Sequence, residues 1–447
     1  MPLKDFTASN LSSIRPAEPA RPEPVDESTH LVEVSAPVVT VPAPVEASTA
    51  LGALELDLIE RLKNRIFDVD CNEIRIIGTA FGEVEPYRAL ISVGTRYYDA
   101  SEEILPTGCD EATLRKVIAG FILANMSSSA LDGSSVDVVT RGTFYLEEGV
   151  EKRASRVQVF YPPVAHRASF NMQLVSKQER DLGSLIDEGT VSMDIGYFLG
   201  AAVTAGASIV FSGPPGAGKT TLMNACSQEI PNENPRTGDS TGHEMVVAIQ
   251  DSDELDLGHL KYVQEFFSFE DAARALGMRA DGTMSDLIEI TKVARADRIL
   301  LGEVRGREAF DFLEAASIFR GNMTTLHANS AIQAINNIVV YALRHPNAQV
   351  SGLRSVQEMV AKGVDLLVQV DRVNDRRVVT QVVALDGTVS EDGSPRRVVL
   401  WNYDTHTGTW VKPADSAGLP DSQERLSGRL AAAGLPDYWR HPELIGS

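Results

Sequence analysis

Basic side chains are in deficit in this 447-residue chain: 41 Lys and Arg face 62 Asp and Glu, a formal net charge of −21. An acidic surface argues against a broad footprint on nucleic-acid phosphates, so no direct nucleic-acid binding is expected. Cysteine is almost missing as well. Cys71, Cys109 and Cys226 make no C-x-x-C pair and no zinc-like spacing, which excludes a disulfide framework and points to a reducing compartment. The first fifty residues hold no basic stretch followed by an apolar run, so no secretory signal is expected. A single long stretch, Ile195 to Gly218, carries no charge and has the length of a membrane span. Gly196, Gly200, Gly206, Ser208 and Ser212 interrupt it, and it reads instead as a helix near 192–204 followed by a buried strand. A soluble, cytoplasmic protein is expected, with any membrane role arising through partners.

The 43% of hydrophobic residues suffices for a sizeable core, and the length suits two or three domains. Residues 1–53 are rich in Pro, Ala, Val, Glu and Ser and read as a disordered leader. Residues 54–165 read as a small α+β domain. Its helices are expected over Leu54–Phe67 and Glu111–Asn125, with strand-like runs at Ile74–Ile77, Ala89–Val93, Ser135–Thr140 and Arg156–Phe160. A polar connector over 166–190 is expected to lead into the core at 191–375. There, buried-strand candidates at Ile209–Ser212, Val246–Ile249, Arg298–Leu301, Met323–Leu326 and Leu366–Val370 alternate with helical stretches near 285–295, 307–319 and 330–344. That alternation implies an α/β fold with a mostly parallel sheet covered on both faces. Pro231 to His243 reads as a surface loop. A β-meander is expected over 376–412, with breaks at Asp386-Gly387 and Thr407-Gly408. A polar tail over 413–447 has room for one short helix.

The most informative run is Gly213-Pro214-Pro215-Gly216-Ala217-Gly218-Lys219-Thr220. It fits G-x-x-x-x-G-K-[ST] between the apolar Ala207–Phe211 and the helical start Thr221–Ala225. Strand, glycine loop and helix together make a cradle of backbone N–H groups for a phosphate chain. Lys219 is placed to reach the β- and γ-phosphates, and the Thr220 hydroxyl to ligate Mg²⁺. Hydrolysis also needs carboxylates to hold metal and orient water. Val246–Gln250 ends in Asp251, with Asp253 and Glu254 in the following loop. Arg298–Leu301 delivers Glu303 to the carboxyl end of a parallel sheet, where ligands of such folds bind. Glu303 is the strongest candidate to polarise water. Arg305 could stabilise phosphate charge, or pair with Glu308 or Asp311. His327, after Met323–Leu326, could sense the γ-phosphate or serve structure alone.

The ordered set resembles the secretion-superfamily ATPases, the motors of type II and type IV secretion and of tight-adherence pili. The matching pieces are the phosphate loop, the acidic box Ile249–Leu255, the segment Asp297–Gly306 and the histidine box Thr325-Leu326-His327-Ala328-Asn329. Val364–Arg372 is similar to the strand that closes the family's core. The resemblance implies a RecA-like P-loop NTPase core, a smaller N-terminal α+β domain and a C-terminal β-rich extension. It also implies a homohexamer, with ATP and Mg²⁺ between the two domains, docked on inner-membrane platform proteins. It gives phosphate and Mg²⁺ to Gly213–Thr221, with Lys219 and Thr220 foremost, catalysis to Glu303, and the water and metal environment to Asp251 and Glu254. His327 becomes the γ-phosphate sensor.

Some positions depart from that pattern. Gln250 stands where the family's box opens with Glu, and Lys261 and Gln264 stand where arginines are usual. Ser317-Ile318-Phe319 replaces Thr-Gly-His, and the arginine pair before the Glu303 strand is reduced to Arg295 with Lys292 nearby. Two alternatives stay open: a AAA+ type remodelling ATPase, which should carry a helical lid after its second acidic strand, and a nucleotide-binding regulatory or scaffold subunit with little turnover.

Overall fold

The computed structural model describes residues 52–66, 71–79, 85–93, 96–125, 139–148, 151–160, 165–174, 180–232, 244–251, 254–268, 283–293, 296–413 and 420–436. Most of the expected leader, residues 135–138 of the expected Ser135–Thr140 strand, the Pro162-Pro163 turn and residues 233–243 of the expected loop lie outside them.

The N-terminal part contains α1 (Ala53–Ile66), β1 (Cys71–Gly78), β2 (Tyr87–Val93), β3 (Arg96–Asp99), α2 (Ser101–Ile104), α3 (Glu111–Asn125), β4 (Val139–Glu148), β5 (Glu151–Phe160) and β6 (Ser169–Leu174). Its antiparallel sheet runs β3-β2-β1-β6-β5-β4. Leu58, Leu62 and Ile66 recur every four residues along α1, so one stripe of that helix is buried in this core.

This arrangement corrects the expected connector. Ser169–Leu174 is a central strand of the sheet, paired with β1 on one side and β5 on the other. Phe170, Met172 and Leu174 alternate inward, while Ser169, Asn171 and Gln173 give the segment its polar appearance. Helix α4 (Leu182–Asp187) follows, capped by the Asp181 carboxylate, which accepts from Ser184 N at 2.8 Å.

The core continues with α5 (Met193–Thr204), β7 (Ile209–Gly213), α6 (Lys219–Ser227), β8 (Val246–Gln250), β9 (Val263–Phe267), α7 (Met284–Val293), β10 (Arg298–Val304), α8 (Glu308–Ile318), β11 (Met323–His327), α9 (Ala331–Ala342), α10 (Pro346–Gly363) and β12 (Leu366–Val373). Next come β13 (Arg376–Val389), β14 (Pro395–Asp404), β15 (Thr409–Val411) and α11 (Pro420–Ala432). These strands form one nine-stranded sheet, β15-β14-β13-β12-β7-β11-β10-β8-β9. It is parallel from β12 to β9 and antiparallel from β12 to β15. Helices α4, α5, α6 and α11 cover one face, and α7 to α10 the other, each over its own apolar layer. The uncharged stretch 195–218 resolves into α5, β7 and the loop after it. Among the described residues no helix is long and apolar enough to cross a membrane.

The expected β-meander is present as β13–β14–β15 and continues the core sheet from the closing strand β12. Two further readings change. Asp386-Gly387 does not break a strand but lies within β13, and the reversal falls at Ser390–Ser394, where Ser390 N donates to Ser394 O at 2.9 Å. Strand β9 and helix α10 were not anticipated. The extension is bound firmly to the core: Trp401 of β14 is buried, its ring centroid lies 5.0 Å from that of Phe198, and its Nε1 donates to Asp194 Oδ2 at 2.9 Å.

Candidate functional site

Every side chain of β7 is buried, and the strand lies between β12 and β11 in the middle of the sheet. Its carboxyl end therefore delivers the glycine loop to the open edge where α/β folds bind ligands. A side chain at Gly213 would place Cβ 2.2 Å from the Val370 carbonyl oxygen, so the loop leaves the strand through a gap that admits only glycine. Gly218 lies at φ 98°, in the left-handed region, and turns the chain directly into α6. Lys219 begins that helix and is itself buried.

The order of the strands sets the order of the chemistry. From β7 the sheet runs to β11, β10 and β8, which end at His327, Glu303–Val304 and Gln250-Asp251. Lys219 Nζ donates to Pro214 O at 3.2 Å and lies 3.0 Å from His327 Nδ1. Nδ1 also lies 3.4 Å from Gly213 O, and the other ring nitrogen, Nε2, lies 2.8 Å from Glu303 Oε1. The other Glu303 oxygen accepts from Arg305 Nε at 2.7 Å, and Arg305 Nη1 reaches Asp251 Oδ2 at 3.2 Å. One polar row thus joins the phosphate loop to the acids of two further strands.

Burial shifts the charges of this row. It lowers the Lys219 ammonium to about 8, although Glu303 and Glu254 pull the other way. Burial also pushes the Glu303 carboxyl up, but His327 and Arg305 outweigh it and hold the group down to about 2. For Arg305, burial acts downward and is overcome by Glu303 and Asp251, so its guanidinium sits above its ordinary value.

Glu254 is the carboxylate beside Thr220, whose hydroxyl lies 3.5 Å from Glu254 Oε2. Asp251 instead faces Arg305 and the Ser268 hydroxyl. The Arg305 guanidinium meets Glu303 and Asp251, two acids the sequence had not offered as its partners, while Glu308 accepts its backbone N–H. Ser252 and Asp253 lie outside the described residues.

Two features escaped the sequence reading. The buried Gln250 accepts from the backbone N–H groups of Glu254 and Leu255 at 3.0 Å each, and donates to Glu265 Oε2 at 3.2 Å. It shapes the loop that presents Glu254. In addition, Arg372 and Arg377 of the β12–β13 hairpin reach the loop from the flank opposite His327, and Arg372 Nη2 donates to Gly216 O at 3.0 Å. A run of arginines was visible in the sequence, but nothing local assigned it to the glycine loop.

The sequence profile described as "Type II/IV secretion system protein" matches residues 145–374, just over half of the chain and all of the site above except Arg377. The chain belongs to this secretion family. Among its relatives, the type IV secretion system protein PtlH of Bordetella pertussis is 37% identical over 177 residues, 39% of this chain and 48% of that protein. The conjugal transfer protein TrbB of Rhizobium radiobacter is 26% identical over 235 residues, 52% of this chain and 65% of the relative. The chain thus spans about half to two-thirds of the length of these curated relatives. Among solved structures, the ATPase DotB of Legionella pneumophila superposes with a TM-score of 0.48 at 14% identity, covering 85% of this chain and 88% of that one. The core has the RecA-like P-loop arrangement expected of the secretion family, with the phosphate-loop strand central and the acidic strands to one side.

Proposed function

We propose that this chain is an ATP-hydrolysing motor subunit of a bacterial secretion, conjugation or pilus-assembly machine. The observation that carries the proposal is the polar row from Lys219 through His327 to Glu303 along the carboxyl edge of the sheet. In this reading the amides of Gly213–Thr221 cradle the phosphates, and Lys219 neutralises them. Bound phosphate competes with His327 Nδ1 for the lysine, which makes His327 responsive to its presence.

The low value held at Glu303 supports a positioning role for this acid. A carboxyl near 2 is a weak base at neutral pH, so it orients and polarises the attacking water rather than taking a full proton. Phosphoryl transfer through a loose transition state needs little more than that. Arg305 holds the acid in place and supplies positive charge beside the transferring group. Thr220, Glu254 and Asp251 offer hard oxygen donors that fit Mg²⁺, with Glu254 the nearer carboxylate to the Thr220 hydroxyl. Bound there, the metal would neutralise charge on the β- and γ-phosphates.

A homohexamer at the cytoplasmic face of the inner membrane, driving a membrane-embedded platform, follows from the resemblance to the secretion motors. A AAA+ remodeller fits less well, because strands β13–β15 follow the closing strand where a helical lid would stand. Phosphate release by the purified chain with ATP and Mg²⁺, compared with Lys219→Ala, tests the proposal. Turnover in wild type that is lost in the variant is expected. Equal background release from both, with membrane partners supplied, would leave a nucleotide-binding subunit without a motor.

A further inference from the structure

The arginines on the far flank of the loop have no function in the account so far. In the β12–β13 hairpin, Arg372 and Arg377 are directly opposite partners, a pairing of like charges that costs stability. The turn between them uses Asn374 and Asp375, both in the left-handed region at φ 51° and 62°. Its carboxylate does not relieve the pair, because Asp375 is ion-paired with Arg96 of β3. The Arg377 stem packs on Gly218, with Cδ 3.0 Å from where a Cβ there would stand. The Arg377 Nε–H is buried and makes no hydrogen bond among the described residues. Burial, reinforced by Arg372 and Arg180, pushes the Arg377 guanidinium below its ordinary range. A small recess beside it is lined by Arg180, Leu185, Thr190, Gly218 and Thr221.

A buried guanidinium N–H without a partner, beside Gly218 of the glycine loop, is expensive unless an anion arrives to meet it. The sheet order sets it apart from the hydrolytic row. His327 and Glu303 approach the loop from the β11 and β10 side, whereas Arg372 and Arg377 approach from the β12 and β13 side. We propose that Arg377, seated beside Arg372, binds the α-phosphate end of the nucleotide from within the same subunit. This rests on the nucleotide reading above and adds to it a second cationic anchor, distant from the hydrolytic row. It also supplies, within one chain, arginine charge that the departures around Lys261, Gln264 and Arg295 had left thin.

Calorimetric titration of the full chain with ATP and with ADP tests the assignment, using Arg377→Gln and Arg377→Met. The methionine keeps an apolar stem against Gly218 and removes only the guanidinium. Both variants should lose about tenfold to a hundredfold in affinity for ATP and ADP alike, the worth of a charge-assisted hydrogen bond. Without nucleotide, the methionine variant should melt no lower than wild type, because a buried N–H without a partner has been removed. Wild-type affinity in either variant would overturn the assignment. So would a loss confined to ATP, which would put Arg377 on the terminal phosphate. Lys219→Ala separates the two levels of the argument. If wild type binds no ATP the nucleotide reading itself fails, whereas if only the Arg377 variants retain full affinity this inference alone fails.

Discussion

Raising the pH should weaken ATP binding, and the loss should trace to a single ammonium. Lys219 is buried at the start of α6 and its value is lowered from 10.5 to about 8, chiefly by desolvation. Phosphate requires the charged form. With a value near 8, about nine-tenths of the free protein carries that charge at pH ~7 and about one-tenth at pH ~9. If bound phosphates restore the lysine to its ordinary range, affinity falls about tenfold between those two conditions, and about 0.9 proton is taken up per ATP bound at pH ~9. Calorimetry in two buffers of different ionisation enthalpy reads that proton directly.

The stability of the nucleotide-free protein should move the opposite way. The folded value lies below the unfolded one, so between about 8 and 10.5 the unfolded chain holds more protons and Lys219 favours folding increasingly as the pH rises. Affinity falling while apo stability gains from this group is a signature that a surface lysine cannot give. A flat affinity with no proton uptake at pH ~9 would refute the reasoning.

Two further predictions rest on the buried side chains Gln250 and Trp401. Gln250→Glu, which restores the residue usual in the family, sets a carboxylate where Gln250 Nε2 now lies 3.2 Å from Glu265 Oε2. It should cost about 1–3 kcal/mol at neutral pH by burying a carboxylate beside the exposed Glu265, and adding Glu265→Gln should recover part of that in urea unfolding. Trp401→Ala removes a fully buried ring that ties the extension to α5, and should cost about 3–5 kcal/mol while leaving ATP affinity of the folded fraction unchanged in the same titrations.

The legible parts of the site are those in which one local pattern carries the physics. The glycine loop declares itself because strand, loop and helix are contiguous. Glu303 and His327 are legible because a short apolar run implies a buried strand and the next polar residue falls at its end. What was missed depends on non-local register or on a misweighed pattern. Arg372 and Arg377 are separated from the loop by well over a hundred residues, and only the parallel pairing of β12 with β7 brings them to Gly216 and Gly218. The role of Gln250 depends on a side-chain direction that its strand pattern does not encode. Strand β6 was legible in principle, since Phe170, Met172 and Leu174 alternate. Polar residues between them hid a strand that has one solvated face.

The central claim is that the Glu303 carboxylate, held by His327 and Arg305, acts on the terminal phosphate of a nucleotide seated at Lys219. Single-turnover hydrolysis by Glu303→Gln, with ATP affinity measured on the same preparation, addresses it most directly. The account predicts ATP binding within a few-fold of wild type and a hydrolytic rate reduced by about a hundredfold or more, the scale of losing a water-orienting carboxylate. Hydrolysis at the wild-type rate in a variant that still binds ATP would contradict it.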